Sequence, residues 1–89
     1  MLAVEDNELL GIALYPNPAS NLVNIGLPNT VVGSTTFEIT NSLGQVVRRL
    51  QHEAAGAPVQ LDISSLTQGI YFIAIENQNS RTVEKLIVR

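Results

Sequence analysis

The chain has 89 residues, 45% of them hydrophobic, which is enough for one compact core and too little for two independent domains. Its formal net charge is −3 and its five Lys and Arg residues are scattered, so nucleic acid is disfavoured as a partner. There is no cysteine, which excludes disulfides and thiolate metal sites, and no apolar run approaches the roughly 20 residues of a membrane span.

The chain opens with an acidic segment that differs from the rest. Glu5, Asp6 and Glu8 follow an apolar tetrapeptide, and the basic start of a signal peptide is missing. Residues 1–11 are therefore predicted to be an acidic linker from a preceding region, and residues 12–89 to form one domain. The acidic segment could offer oxygen ligands to a hard cation, but the ligand spacing and turn glycine of a calcium loop are absent, which favours the linker.

Short apolar stretches of period two begin at Ile12 and alternate with clusters of Gly, Pro, Asn and Ser. Their spacing of roughly 8 to 12 residues is typical of all-β folds, and helix has little support. We predict an Ig-like antiparallel β-sandwich of about seven strands. The predicted strands cover residues 12–15, 21–26, 35–41, 45–51, 59–62, 70–76 and 82–88. Residues 52–58 are predicted to cross between the sheets.

Alternation in the third predicted strand separates inward from outward side chains. Phe37 and Ile39 are expected in the core, while Glu38 between them faces water. Residues 41–44 are predicted to form a hairpin turn, because Asn favours the first position and Gly44 tolerates a left-handed backbone. The turn-forming residues 77–80 predict a second hairpin before the last strand.

No set of residues points to catalysis. His52 is the only histidine and lies in a polar connection, so a nucleophile and base pair has no support. The later carboxylates are isolated along the sequence, and no glycine-rich phosphate-binding motif occurs. We predict no enzyme activity, no catalytic residue, no cofactor and no metal site. The aromatic residues are interpreted as core or core-edge residues: Tyr15, Phe37, Tyr71 and Phe72.

Four segments together resemble a known family. They are Tyr15-Pro16-Asn17-Pro18-Ala19, Asn41-Ser42-Leu43-Gly44-Gln45, the stretch from Asp62 to Tyr71 with the pattern D-x-S-x-L-x-x-G-x-Y, and the Lys-containing apolar stretch from Val83 to Arg89. In this order they resemble the C-terminal sorting domains of the type IX secretion system. The similarity covers essentially residues 12–89.

The resemblance implies a non-enzymatic export signal at the C-terminus of a larger cargo protein. The implied partners are the outer-membrane translocon, its shuttle components, and a cell-surface sortase that cuts near the start of the domain and attaches or releases the cargo. The implied route leads through the periplasm of a Gram-negative bacterium to its surface or to the outside. The domain itself is expected to be a monomer. The chain departs from the family at Thr67, where Pro is common, and at Lys85, where two Lys are common.

Most signature residues also have a structural interpretation. Pro16 and Pro18 fix φ and stop the first strand, and Asp62 can cap backbone N–H groups in the turn that follows it. Tyr71 is expected to pack its ring in the core while its hydroxyl finds a backbone partner. The residues interpreted as structural are Tyr15, Pro16, Asn17, Pro18, Gly44, Asp62, Leu66, Gly69 and Tyr71.

The last predicted strand is the candidate recognition element. An edge strand with a free end offers unpaired N–H and C=O groups to a partner strand, and its basic residues add charge. The candidate residues are Lys85, Leu86, Ile87, Val88 and Arg89. Lys85 is equally explained as a device against edge aggregation.

Other functions also fit a β-sandwich, because a fold does not dictate a function. The alternative is an accessory carbohydrate-binding or fibronectin-like module that holds an enzyme to its substrate. A surface adhesin repeat is a third possibility, which the absence of internal repeats disfavours.

Overall fold

The computed structural model describes residues 11–28, 31–55, 58–78 and 80–89. Within these ranges the chain forms seven strands and no helix. The strands are β1 Ala13–Tyr15, β2 Leu22–Gly26, β3 Val32–Thr40, β4 Val46–Ala55, β5 Val59–Asp62, β6 Gly69–Asn77 and β7 Ser80–Val88. Residues 1–10 of the predicted linker lie outside the described residues.

The strands form two antiparallel sheets, which confirms the predicted β-sandwich. One sheet has the order β1-β2-β5 and the other the order β4-β3-β6-β7. The chain changes sheet between β2 and β3, between β4 and β5, and between β5 and β6. These crossings carry the chain from one layer to the other, so that each layer covers the apolar face of the other.

The core lies between the sheets and is filled by alternate residues of the strands. Phe37 and Ile39 are fully buried, as the alternation in β3 predicted, while Glu38 is half-buried on the opposite face. β2 supplies the buried Ile25, and β6 supplies Ile73 among others. Removing such a side chain from water stabilises the fold by about 1.5–3 kcal/mol.

Strand β4 is longer than predicted and includes the predicted start of the crossover. Thr35 pairs with His52 and Val32 pairs with Ala55, so β3 and β4 continue together beyond residue 51. The sequence did not indicate this extension because Gly33 and Ser34 carry no apolar pattern, whereas the pairing uses the backbone. His52 is therefore an exposed strand residue and not a loop residue.

Two aromatic side chains are more exposed than predicted. Tyr15 is 44% exposed on the short strand β1, and Phe72 is 38% exposed. Because successive strand residues point to opposite faces, the burial of Tyr71 forces Phe72 outward. Phe37 and Tyr71 are buried as predicted.

The strands run between two ends of the sandwich that carry different segments. We call the first the signature end, with residues 15–22, 40–46, 62–69 and 88–89, where a parallel bridge between Ala19 and Val88 joins the segment before β2 to β7. We call the second the entry end, where Gly11 lies beside Pro28 and Val32 pairs with Ala55. The four segments that resemble the sorting domains meet at the signature end.

Candidate functional site

A short segment before β2 runs along the outer edge of β7. The Ala19 N–H donates to the Ile87 carbonyl at 2.8 Å, and the Arg89 N–H donates to the Ala19 carbonyl at 2.8 Å. The Asn17 side chain adds two bonds, since Nδ2 donates to the Lys85 carbonyl at 2.9 Å and Oδ1 accepts the Ile87 N–H at 3.0 Å. Asn17 and Ala19 therefore cover the edge of β7 from Lys85 to Arg89.

This cover changes the expectation of a free final edge. β7 is an edge strand, as predicted, but its outward backbone groups from the Lys85 carbonyl to the Arg89 N–H are already bonded. Alternate residues of an antiparallel strand point their backbone groups outward, so among the described residues the open part of this edge runs from Arg81 through Val83 to the Lys85 N–H. Sequence reasoning missed the cover because its partners are 70 residues apart, and the Asn between two prolines was the available signal.

The five predicted recognition residues divide between the core and the surface. Leu86 is 0% exposed and Val88 is 3% exposed, so both side chains belong to the core. Lys85 and Arg89 are exposed, and Ile87 is half-buried on the outer face of the four-stranded sheet. A partner in contact with the folded domain therefore meets Lys85, Ile87 and Arg89.

The hairpin between β3 and β4 is closed by Asn41, as predicted. Its Oδ1 accepts the N–H groups of Leu43 at 3.0 Å and Gln45 at 2.9 Å, and its backbone carbonyl accepts the Gly44 N–H at 3.0 Å. Gly44 has a φ of 85°, the left-handed conformation in which an L side chain is strained. The turn leaves Leu43 82% exposed at its tip.

The loop between β5 and β6 is held by Asp62 and Tyr71, as predicted. Asp62 Oδ1 accepts the Ser64 hydroxyl at 2.7 Å and the Ser64 N–H at 2.9 Å, and these bonds, followed by the charge of Arg48, lower the pKa of the exposed carboxyl. The buried Tyr71 donates its hydroxyl to the Thr67 carbonyl at 2.7 Å. Leu66 packs partly buried against the core, and Gly69 has a positive φ.

An open depression lies between this loop and the β3–β4 hairpin. Its volume is about 510 Å³, and its apolar lining includes Leu43, Val47, Leu66 and Ile70. Arg48 joins β4 to β5, because its Nη1 donates to the Asp62 carbonyl at 2.8 Å. The depression thus lies between two of the signature segments.

The described residues offer little for chemistry. They contain no group of three or more His, Asp or Glu residues arranged to hold a metal ion. His52 is exposed on β4, where Thr35 is its cross-strand neighbour. In the same part of the chain, no helix is long and apolar enough to cross a membrane.

Comparison with known proteins identifies a family and a similar fold. Residues 13–89 match the family described as the secretion system C-terminal sorting domain. The chain is 32% identical over 82 residues to beta-agarase A of Zobellia galactanivorans, which covers 92% of this chain and 15% of that protein. The crystal structure of dimeric latent PorU from Porphyromonas gingivalis has a similar fold, with a TM-score of 0.60, 20% identity, and coverage of 86% of this chain and 9% of PorU.

The chain belongs to the secretion system C-terminal sorting domain family. Members of this family are C-terminal sorting signals of type IX secretion, which exports proteins to the surface or surroundings of Gram-negative Bacteroidetes. The chain spans only a small part of both proteins to which it is similar. The likeness to PorU concerns the fold alone.

Proposed function

We propose that this chain directs a larger protein through the type IX outer-membrane translocon and that the signature end of the sandwich is recognised. The family match over residues 13–89 carries this proposal, together with the meeting of the signature segments at one end of the fold. The entry end faces the opposite way, so a protein joined before Gly11 would leave the signature end accessible.

Recognition in this proposal uses a folded domain and involves no bond-making chemistry. Lys85, Ile87 and Arg89 are the members of the predicted set with exposed or half-buried side chains. Leu86 and Val88 support them from the core. Strand addition to β7 would be limited to the stretch from Arg81 to the Lys85 N–H, because Asn17 and Ala19 occupy the edge beyond it.

The proposal extends to steps after translocation. A cell-surface sortase would cut within residues 1–11 and either attach the preceding protein to the surface or release it. The sequence there is acidic and lacks the turn and strand signals of the domain, as an accessible linker does. Shuttle components of the secretion machinery would carry the domain between these steps.

A secreted reporter with this chain fused at its C-terminus tests the proposal. The reporter should reach the medium or cell surface of a type IX-secreting bacterium and should stay in the periplasm of a strain without the translocon. A reporter found outside both strains in equal amounts would contradict the export role. Binding of the isolated chain to polysaccharide in a pull-down, without export, would favour the carbohydrate-binding alternative.

The recognition residues need a test that leaves the fold intact. Lys85→Gln combined with Arg89→Gln removes two exposed charges and should lower export several-fold. Arg49→Gln is the matched control, because Arg49 is exposed on the other edge strand of the same sheet, where it faces Glu38 at 3.7 Å. Equal export by both variants, each with an unchanged melting temperature, would exclude a role for the two charges.

A further inference from the structure

The outer face of the four-stranded sheet, the face turned away from the core, is apolar near the signature end. Thr40 of β3 pairs with Val46 on one side and with Phe72 on the other, and Phe72 pairs in turn with Lys85. Cross-strand partners lie side by side on the same face. One step closer to the signature end, Ile70 pairs with Ile87.

This apolar area continues into the depression beside the β3–β4 hairpin, where Leu43 and Val47 line the same cavity as Ile70. We call the whole the outer patch, formed by Leu43, Val46, Val47, Ile70, Phe72 and Ile87. It holds five of the nine large hydrophobic side chains that are exposed in the described residues. Single exposed hydrophobics are ordinary, but a contiguous group marks an interaction surface.

Nearer the entry end the same face carries more charged and polar side chains, and two of its ion pairs are internal. Glu38 lies 3.7 Å from Arg49, and Glu76 lies 3.1 Å from Arg81. Thr36, between β4 and β6 on this face, is polar as well. Val83 and Val32 are exposed farther along this face, so the apolar side chains are concentrated, though not exclusively, in the part that adjoins the signature segments.

The outer patch is bordered by positive charge. Lys85 lies beside Phe72, and Arg89 follows two residues after Ile87. In the described part of the chain neither cation has a salt bridge, whereas Arg49 and Arg81 each have one. A patch with unneutralised cations on a protein of net charge −3 is complementary to an apolar surface that carries carboxylates.

The covered edge of β7 determines how a partner can approach. Between Lys85 and Arg89 the backbone is bonded to Asn17 and Ala19, so a partner meets side chains there and not free backbone groups. An apolar sheet face is normally covered by another sheet or helix. We infer that the outer patch docks a protein surface of the secretion machinery that presents apolar side chains and a carboxylate opposite Lys85. This inference rests on the proposed export function and names the surface that performs it.

Two valines give a matched test. Val46 is 54% exposed and begins β4, and Val32 is 52% exposed and begins β3 at the other end of the sandwich. In the reporter fusion, Val46→Lys should lower export about tenfold, the effect of losing about 1.4 kcal/mol of binding, while Val32→Lys should leave it unchanged. Ile70→Lys, at a position 48% exposed, is a second variant, and melting temperatures show that the variants remain folded.

The outcomes separate the inference from the function on which it rests. A wild-type fusion that is not exported overturns both, whereas normal export of Val46→Lys and Ile70→Lys beside an exported wild type overturns the patch alone. Lys85→Glu should lower export more than Lys85→Arg, and equal export by the two overturns the carboxylate contact. If the wild-type chain forms dimers and Val46→Lys dissociates them, the patch binds a second copy of the chain. If the wild-type chain sediments with phosphatidylglycerol vesicles and Val46→Lys does not, the patch binds a lipid surface. Either result would overturn the inference.

Discussion

The two ends of the sandwich are closed in different ways. At the entry end a buried amide joins two strands, because Asn77 Nδ2 donates to the Val32 carbonyl at 2.9 Å and to Thr35 Oγ1 at 2.9 Å. At the signature end the closing bonds are distributed over several exposed side chains, among them Asn17 and Asn41. Buried polar groups cost more to leave unpaired than exposed ones, so the two ends should respond differently to substitution.

This difference between the two ends indicates how one domain can be stable and also present a recognition surface. At the entry end the buried Asn77 side chain holds β3 and β6 together from the core side. At the signature end, hydrogen bonds from side chains to backbone groups hold the loops in place near the surface. Leu43 and Lys85 remain exposed there. A single substitution at the signature end should therefore lower the free energy of unfolding less than one at the entry end.

The largest effect should come from Asn77→Ala at the entry end. The change leaves the Val32 carbonyl and the hydroxyl of Thr35, which is 0% exposed, without their amide donor, and should destabilise the protein by about 2–3 kcal/mol. Urea unfolding measures the loss. Asn24→Ala is the control, because Asn24 donates from an exposed position to the Tyr15 carbonyl at 3.1 Å. Similar losses for the two variants would remove the contrast between the ends.

Asn17→Ala should have the next largest effect, because it removes both side-chain bonds to β7. We expect a loss of about 1–2 kcal/mol and faster hydrogen exchange at the Ile87 amide, which donates to Asn17 Oδ1. Asn17→Asp keeps the acceptor and should slow that exchange again. Asn21→Ala is the control, since the Asn21 side chain has no hydrogen bond within the described ranges. Unchanged exchange at Ile87 in Asn17→Ala would show that the cover does not depend on this side chain.

Tyr71→Phe tests a hydrogen bond made by a buried side chain at the signature end. The ring still fills the core, but the Thr67 carbonyl loses its donor at 2.7 Å, so a loss of about 1 kcal/mol is expected in thermal or urea unfolding. Tyr15→Phe should have no effect, because the Tyr15 hydroxyl lies on a 44% exposed side chain without a hydrogen bond among the described residues. A larger loss from Tyr15→Phe would contradict this assignment.

The smallest expected effect is a change in stability with pH, caused by Asp62 at the signature end. Bonds from the Ser64 hydroxyl and N–H, and then the charge of Arg48, hold the pKa of Asp62 below its usual 3.8. The resulting stabilisation is fully present above pH 3.8 and is lost as the pH falls through the lower folded-state pKa. The urea midpoint of the wild type should therefore fall more steeply below pH 3.8 than that of Asp62→Asn. Parallel curves would show that this carboxylate does not contribute.

Local patterns predicted most of the fold. Alternation around Phe37 and Ile39 identified the inward face of β3, and the turn preferences of Asn41 and Gly44 identified the first hairpin. Such patterns depend on a few neighbouring residues, so they can be recognised in the sequence. They were insufficient where Gly33 and Ser34 extend β3, because backbone pairing leaves no trace in side-chain character.

The accessibility of the final strand depended on contacts distant in sequence. The order of signature segments was sufficient to predict the family, and the prediction that Lys85 and Arg89 serve recognition follows from the sequence as well. The sequence determined an all-β sandwich with a sorting signature. Only the tertiary structure decided that Asn17 and Ala19 cover the edge of β7, that Leu86 and Val88 lie in the core, and that the outer patch is contiguous. The physical reason is that strand edges and sheet faces are formed by pairing between distant segments, and no local preference encodes which segments will meet.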